Sequence, residues 1–402
     1  MKIAVVFDRL GPYHHARLNA LGKVSDVLAI EIHQRDQTYQ WDIIQGSEHF
    51  KKVTLFAELA RPIRLAEIFA RPAGTSQDGF KPDVIVVAGW SGRWILASTD
   101  FAISHDIPMV VMSESTKGDF NRAWLKEALK SRLVRLADAY LAGGSRPRDY
   151  LVELGAAPAS VFLGCDAVDN GYFLAGAREA RLRGAALRKE LGLPKNFFLS
   201  SFRFVAKKNP LGLVRAYAHY AAHAKSPWDL VILGDGPLRS EVERQVDSLG
   251  LRGRVHMPGF MQYADLPQYY GLAGAFILAS LSDQWGLVVN EAMAAGLPVL
   301  VSNRCGCVDD LVHFGGNGFT FDPGDHETLG LLMVELSGGG VDLRGMGRRS
   351  RQLVTAWSPE SFAKNMLGAC NYAVRSHVRR TSWFDCALLR TLVLCRFPER
   401  KD

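Results

Sequence analysis

Cysteine is scarce and unpaired: the six residues, at positions 165, 305, 307, 370, 386 and 395, show no C-x-x-C spacing. The one close pair, Cys305-Gly306-Cys307, is a poor zinc half-site, so neither a disulfide scaffold nor a bound metal is expected. Scattered thiols of this kind read as core filler. No uncharged apolar run approaches the ~20 residues that span a bilayer. The apolar stretch in the opening MKIAVVFDRLGPYHHARL is too short for a signal peptide and no small-residue cleavage site follows, so a cytoplasmic product is expected. Neither charge sign dominates, because 48 Lys plus Arg stand against 41 Asp plus Glu, a net +7 with 22% charged residues. Disorder is thereby excluded, and so is an obligate nucleic-acid or other polyanion binder.

What is present is 402 residues, 48% of them hydrophobic, enough for two or three domains with cores of their own. Continuous apolar runs read as strands covered on both faces: KIAVVF (2–7), VLAIEI (27–32), DVIVVAG (83–89), PMVVMS (108–113), AYLAGG (139–144) and VFLGC (161–165). Helical stretches lie between them, such as 124–136 with Leu125, Leu129, Leu133 and Leu136 on one stripe. This βαβ rhythm predicts a parallel sheet. It restarts after Gly192-Leu193-Pro194-Lys195-Asn196 with FFLSSF (197–202), DLVILG (229–234), VHMPG (255–259), AFILAS (275–280), PVLVSN (298–303) and GFTFD (318–322). The expectation is an α/β chain of two Rossmann-like, doubly wound domains, 1–192 and 193–357, facing a ligand cleft. A helical segment, 358–402, returns to the first domain. Within that segment 383–394 reads as an amphipathic helix with Arg390 on its polar side; packing on the first domain is preferred to membrane contact.

The most informative stretch is ASLSDQWGLVVNEAMAAGLPVLVSN (279–303), where a strand end, a polar loop and a helix start coincide. Gly286 permits close approach to the backbone, and the free N–H groups of the helix start favour an anion. Glu291, among Leu287, Val288, Val289, Ala292 and Met293, has little solvated surface, and the two hydroxyls of a ribose would satisfy it; an exposed helix glutamate is the plainer reading. In SFRFVAKKNP (201–210), Arg203 follows a strand and Lys207 and Lys208 open the next helix. These cations could neutralise a departing diphosphate, or be solvated surface. The G-x-G of Gly234 and Gly236 lacks a third glycine, since Arg239 stands there, so it is no dinucleotide fingerprint. In the first half, Gly11, His14 and His15 follow the first strand, Glu114 lies between Ser113 and Ser115 after the fourth, and Trp90 and Arg93 end another; Trp90 suits either sugar stacking or core packing. Lys117, Arg122, Lys126, Lys130, Arg132 and Arg135 surround the helical stripe and could meet an anionic membrane.

In order and spacing, Arg203 and Lys208, LVILGDGPLRSEVE (230–243), RVHMPGFMQYADLPQYY (254–270), SDQWGLVVNEAMAAGLPV (282–299) and GNGFTFDPGD (316–325) resemble the nucleotide-sugar domain of family 4 glycosyltransferases. These are retaining enzymes of the GT-B fold. The resemblance covers roughly 197–336; the first half is similar only in rhythm, with Gly11 after its first strand. It implies a metal-independent, cofactor-free retaining glycosyltransferase that moves a sugar from a nucleoside-diphosphate donor to a glycan or lipid-linked acceptor of polysaccharide synthesis. Peripheral association with the inner face of the plasma membrane goes with that reading. It further implies that Glu291 holds the ribose, that Arg203 and Lys208 hold the diphosphate, and that Trp285, Gly286 and Leu287 present backbone N–H groups to phosphate and sugar, with Gly234 and Gly259 shaping turns beside the donor. Asp283 stands where the family usually has glutamate, which bears on the donor sugar. Where a histidine often lies near the reacting sugar, this chain has Glu114 or a neighbouring serine. The rival readings are a catalytically silent nucleotide-sugar-binding subunit and an epimerase or phosphorylase of the same shape.

Overall fold

The computed structural model describes residues 1–33, 49–56, 79–90, 92–118, 124–378 and 383–394. It divides into two units, Met1–Ala167 with Pro359–Asp402, and Val168–Ser358. The first unit runs β1 (Lys2–Phe7), α1 (Pro12–Gly22), β2 (Asp26–His33), β3 (Lys51–Phe56), β4 (Val84–Ala88), α2 (Arg93–Ser104), β5 (Met109–Ser113), α3 (Trp124–Val134), β6 (Ala139–Ala142), α4 (Ser145–Glu153) and β7 (Val161–Leu163). Its sheet is parallel throughout, in the order β3-β2-β1-β4-β5-β6-β7. Both faces are covered, as the continuous apolar runs require: Ile3, Val5 and Phe7 of β1 belong to one core cluster and Ala4 and Val6 to another. The edge strand β3 is absent from the sequence expectation; its pattern is mostly half-buried, with Lys51 exposed.

The second unit contains α5 (Asn170–Glu190), β8 (Phe197–Ser201), α6 (Pro210–His223), β9 (Asp229–Leu233), α7 (Arg239–Ser248), β10 (Val255–Gly259), α8 (Leu266–Leu272), β11 (Ala275–Leu278), α9 (Leu287–Ala294), β12 (Val299–Ser302), α10 (Val308–Leu311), β13 (Gly318–Phe321), α11 (His326–Ser337) and α12 (Leu343–Val354). Its sheet, also parallel, has the order β10-β9-β8-β11-β12-β13. The unit begins at Val168, not at the expected residue 193. The Gly192 to Asn196 punctuation marks only the turn from α5 into β8. Helix α5 buries Phe173, Ala177, Ala180 and Leu187. It runs so close to α8 that a Cβ on Gly271 would stand 2.7 Å from the Ala177 carbonyl oxygen.

The chain returns to the first unit through α13 (Pro359–Ser376), which buries Phe362, Ala363, Met366, Ala369 and Cys370, and α14 (Trp383–Leu394). Leu389 and Leu392 of α14 pack with Leu96 of α2, and Arg390 lies 3.4 Å from Asp100, so this helix packs on the first unit as preferred. In α3, Leu129 and Leu133 join that cluster, whereas Leu125, placed on the packed stripe from the sequence, is 62% exposed. Arg122 lies outside the described residues, as do 379–382 and 395–402. No helix among the described residues is long and apolar enough to cross a membrane.

Candidate active site

Each sheet reverses its strand order beside its first strand, β1 standing between β2 and β4, and β8 between β9 and β11. In open parallel sheets a ligand crevice forms at such a point, beyond the carboxyl ends of the strands. The loops leaving β1, β8 and β11 carry most of the candidate residues.

In the second unit, β8 leads into Phe202 to Val205 and a 3-10 turn, Ala206–Lys208. Phe202 and Phe204 are buried and anchor this loop, leaving Arg203 half-buried between them. The turn after β9 lies directly on it: Phe204 N–H donates to Asp235 O at 2.9 Å, and a Cβ on Gly234 (φ +117°) would stand 2.0 Å from Phe202 O. Gly259 O accepts from Gly234 N–H at 2.8 Å. These two glycines therefore shape the backbone around Arg203.

The loop after β11 is tied to the same turn, since Leu281 N–H donates to Lys207 O at 2.8 Å. Lys208 Nζ meets Asp283 Oδ2 at 2.5 Å, with the side chains 19% and 13% exposed, and Ser280 Oγ lies 3.4 Å from the same oxygen. From below, Gly306 N–H donates to Asp283 O and Cys307 N–H to Trp285 O. Both flanking cysteines are buried beneath the loop. Gly286 (φ +101°) then starts α9, and a Cβ there would lie 3.8 Å from Asp283 Oδ2. A lysine, a carboxylate and a helix start thus converge within a few ångströms. The Trp285 ring is buried, its Nε1–H donating to Asn290 Oδ1 at 2.9 Å, so only its backbone faces the loop's chemistry; Leu287 is half-buried.

Glu291 is fully buried in α9, which corrects the exposed-glutamate reading. The Tyr270 hydroxyl donates to its Oε2 at 2.5 Å. Burial first, and then the Glu291 charge, hold the Tyr270 hydroxyl well above its ordinary pKa, and Ser201 at the end of β8 bonds the same hydroxyl. Ser201, Tyr270 and Glu291 therefore link the exit of β8 to α9. Sequence reasoning missed Tyr270, because a partner 21 residues away leaves no periodic trace.

In the first unit, Gly11 caps α1 and its N–H donates to His14 Nδ1 at 3.1 Å, so that nitrogen carries no proton. Burial, with the nearby Arg17 charge second, pushes the His14 imidazole down to about 3. Arg17 itself is buried, 3.8 Å from the buried Asp166. Ligand atoms of Asp166, Cys165 and Glu114 lie within 4.8 Å of one another. The guanidinium beside Asp166 supplies this group with a positive charge, which opposes a metal ion there. Gly11, His14 and Glu114 are thus assembled around Arg17 and Asp166, neither of which the sequence singled out. His15 turns elsewhere, edge-on to Phe50 and 3.2 Å from Asn19. Trp90 packs against the core. A cavity of about 630 Å³, lined by Met109, Asp138, Tyr140 and His377, opens at the amino ends of β5 and β6, away from these loops.

Residues 185–340 match the family described as Glycosyl transferases group 1. The chain is 28% identical over 260 residues to sulfoquinovosyl transferase SQD2 of Arabidopsis thaliana, a stretch covering 62% of this chain and 48% of that protein. It is 31% identical over 184 residues to alpha-monoglucosyldiacylglycerol synthase of Acholeplasma laidlawii, covering 45% of each. The chain spans about half the length of these curated relatives. Anabaena HepE, solved in complex with UDP, superposes with a TM-score of 0.67 at 18% identity over 92% of this chain and 99% of that one. The fold is accordingly the two-domain, Rossmann-like GT-B architecture.

Proposed function

We propose that the protein transfers a sugar from a nucleoside-diphosphate donor to an acceptor hydroxyl with retention of configuration, a reading supported by the match of residues 185–340 to the glycosyl transferases group 1 family. The observation that carries this reading is the convergence of Lys208, Asp283 and the Gly286 helix start at the β8/β11 switch point, above the buried Glu291. Arg203, Lys208 and the N–H groups at Gly286 and Leu287 stabilise the charge that develops on the leaving diphosphate. Asp283 positions the donor sugar, and Glu291, held by Tyr270, receives the ribose. The acceptor oxygen forms its bond to the anomeric carbon as the bond from that carbon to the phosphate oxygen breaks. The acceptor proton passes to the leaving phosphate on the same face. Glu114, His14 and Gly11 make up the acceptor side. The fixed cations take the charge-neutralising part that a metal would otherwise fill, so no metal or cofactor is required in this reading.

UDP in the HepE complex makes a uridine nucleotide the first donor to test. The diacylglycerol in one relative's name favours a lipid-linked acceptor, and a lipid-linked glycan intermediate fits equally. Trp124 and Leu125, 76% and 62% exposed at the start of α3 beside Lys126, supply a peripheral membrane contact for it. The test is donor turnover with UDP-, GDP- and ADP-sugars in the Lys208→Ala and Glu291→Ala variants. Loss of turnover in both is expected; wild-type rates in both would exclude the mechanism. A chain that binds donor and never releases nucleoside diphosphate would instead be a silent binding subunit, and donor isomerised without acceptor would mark an epimerase.

A further inference from the structure

Arg17 sits one turn after the Gly11–His14 turn of α1 and touches both places where the chain passes between its two units. The first crossing follows Ala167 and the second follows Ser358. Arg17 Nε–H donates to the carbonyl of Ala167, the last residue before the first crossing, at 2.8 Å. Its guanidinium also lies over the ring of Phe362, in the first turn of α13 after the second crossing, 6.0 Å from the centroid. The same group is 3.8 Å from Asp166 and is 3% exposed. A planar cation can accept these constraints together because its edge donates while its face stacks. A lysine at this position could keep an edge contact and would lose the face.

We propose that Arg17 is a positioning residue that joins the acceptor-side turn of α1 to both interunit crossings, so that ordering of that turn is felt by the segments leading into and out of the donor-binding unit. The Gly11–His14 turn stands on the same helix as the guanidinium, and the guanidinium meets a residue beside each crossing. The inference rests on the glycosyl-transfer reading for what the turn binds, whereas the coupling itself is independent of it.

Amide hydrogen exchange on the full chain tests the coupling without any ligand. In Arg17→Met, exchange is expected to accelerate at least tenfold at Val168 to Asn170, at Glu360 to Ala363 and at His15, with β4 and β5 changed less than twofold. Phe362→Leu, which keeps an apolar side chain in the core, should accelerate Glu360 to Ala363 and His15 and spare Val168 to Asn170. Arg17→Lys should restore the first crossing and not the second. Uniform acceleration across the first unit, no change at either crossing, or full rescue by lysine would overturn the proposal. In parallel, Arg17→Met should bind UDP within twofold of wild type and lose transfer. A wild-type chain that binds none of UDP, GDP and ADP would refute the donor reading and leave the exchange comparison to decide the coupling alone.

Discussion

Replacing Lys208 by methionine separates what the lysine does for the fold from what it does for the leaving group. Its Nζ is 2.5 Å from Asp283 Oδ2, and both side chains are mostly buried yet reached by water. Removing one partner of a fully buried pair typically costs about 3–5 kcal/mol. With the partial exposure here screening the remaining charge, about 2 kcal/mol of stability should be lost. On the catalytic side, loss of one preorganised donor should lower turnover ~10²- to 10³-fold. The double variant Lys208→Met/Asp283→Asn removes the stranded carboxylate charge, so it should regain most of the stability and none of the turnover. Asp283→Asn alone should split the other way. With Lys208 released from its carboxylate, bare nucleoside diphosphate should bind about fivefold tighter, since an accessible ion pair is worth about 1 kcal/mol. Transfer should fall, because the donor sugar loses its carboxylate. Thermal unfolding, calorimetric titration with UDP and release of nucleoside diphosphate from donor read out these three quantities. Turnover within threefold of wild type in Lys208→Met, or weaker nucleoside diphosphate binding in Asp283→Asn, would refute the reasoning.

Tyr270→Phe removes the hydroxyl that donates to Glu291 and should cost about 2 kcal/mol, seen as a fall of about 5 °C in melting temperature together with weaker nucleoside binding; an unchanged melt would show that the bond adds nothing. His14, ordinarily near 6.5, is held at about 3, so below pH 6.5 the unfolded chain takes up a proton that the folded chain refuses. Stability should therefore fall as the pH drops from 6.5 towards 3, by up to about 5 kcal/mol from this residue. His14→Asn, which can still accept from Gly11 N–H, should flatten that slope in urea titrations; parallel slopes for the two proteins would contradict the assignment. Gly306→Ala would place a Cβ 1.8 Å from Gln284 O, so the Asp283 to Trp285 segment must shift. Donor binding should drop at least tenfold while the first unit's exchange protection is unaltered, and retention of wild-type affinity would refute the supporting role of that backbone.

What could be read before any coordinates divides along one physical line: periodicity reports where apolar side chains are buried and is silent about polar pairs. The twelve apolar runs expected as strands all form strands, ten of them largely buried as continuous apolar runs suggest and the edge strands β7 and β10 mostly half-buried. Edge strand β3 escaped because Lys51, Lys52 and Thr54 interrupt its apolar character. Glu291 was legible as buried because apolar neighbours surround it in sequence, yet Tyr270, which holds it, is not. The same reasoning explains Arg17. A lone arginine inside PYHHARLNALG belongs by pattern to a solvated helix face. Ala167, 150 residues on, Asp166 beside it and Phe362 in a helix from the far end of the chain lie against it. The first-unit boundary was misplaced for a related reason: a proline and a glycine mark a turn, whereas a domain ends where packing partners change, and those of α5 lie in α8. Residues whose function is to connect distant segments are therefore the ones a single sequence hides best. That is why the cluster of His14, Arg17, Glu114 and Asp166, assembled from α1 and the exits of β5 and β7, took shape only in three dimensions, while the loop and helix start within 25 consecutive residues, 279–303, were visible from the start.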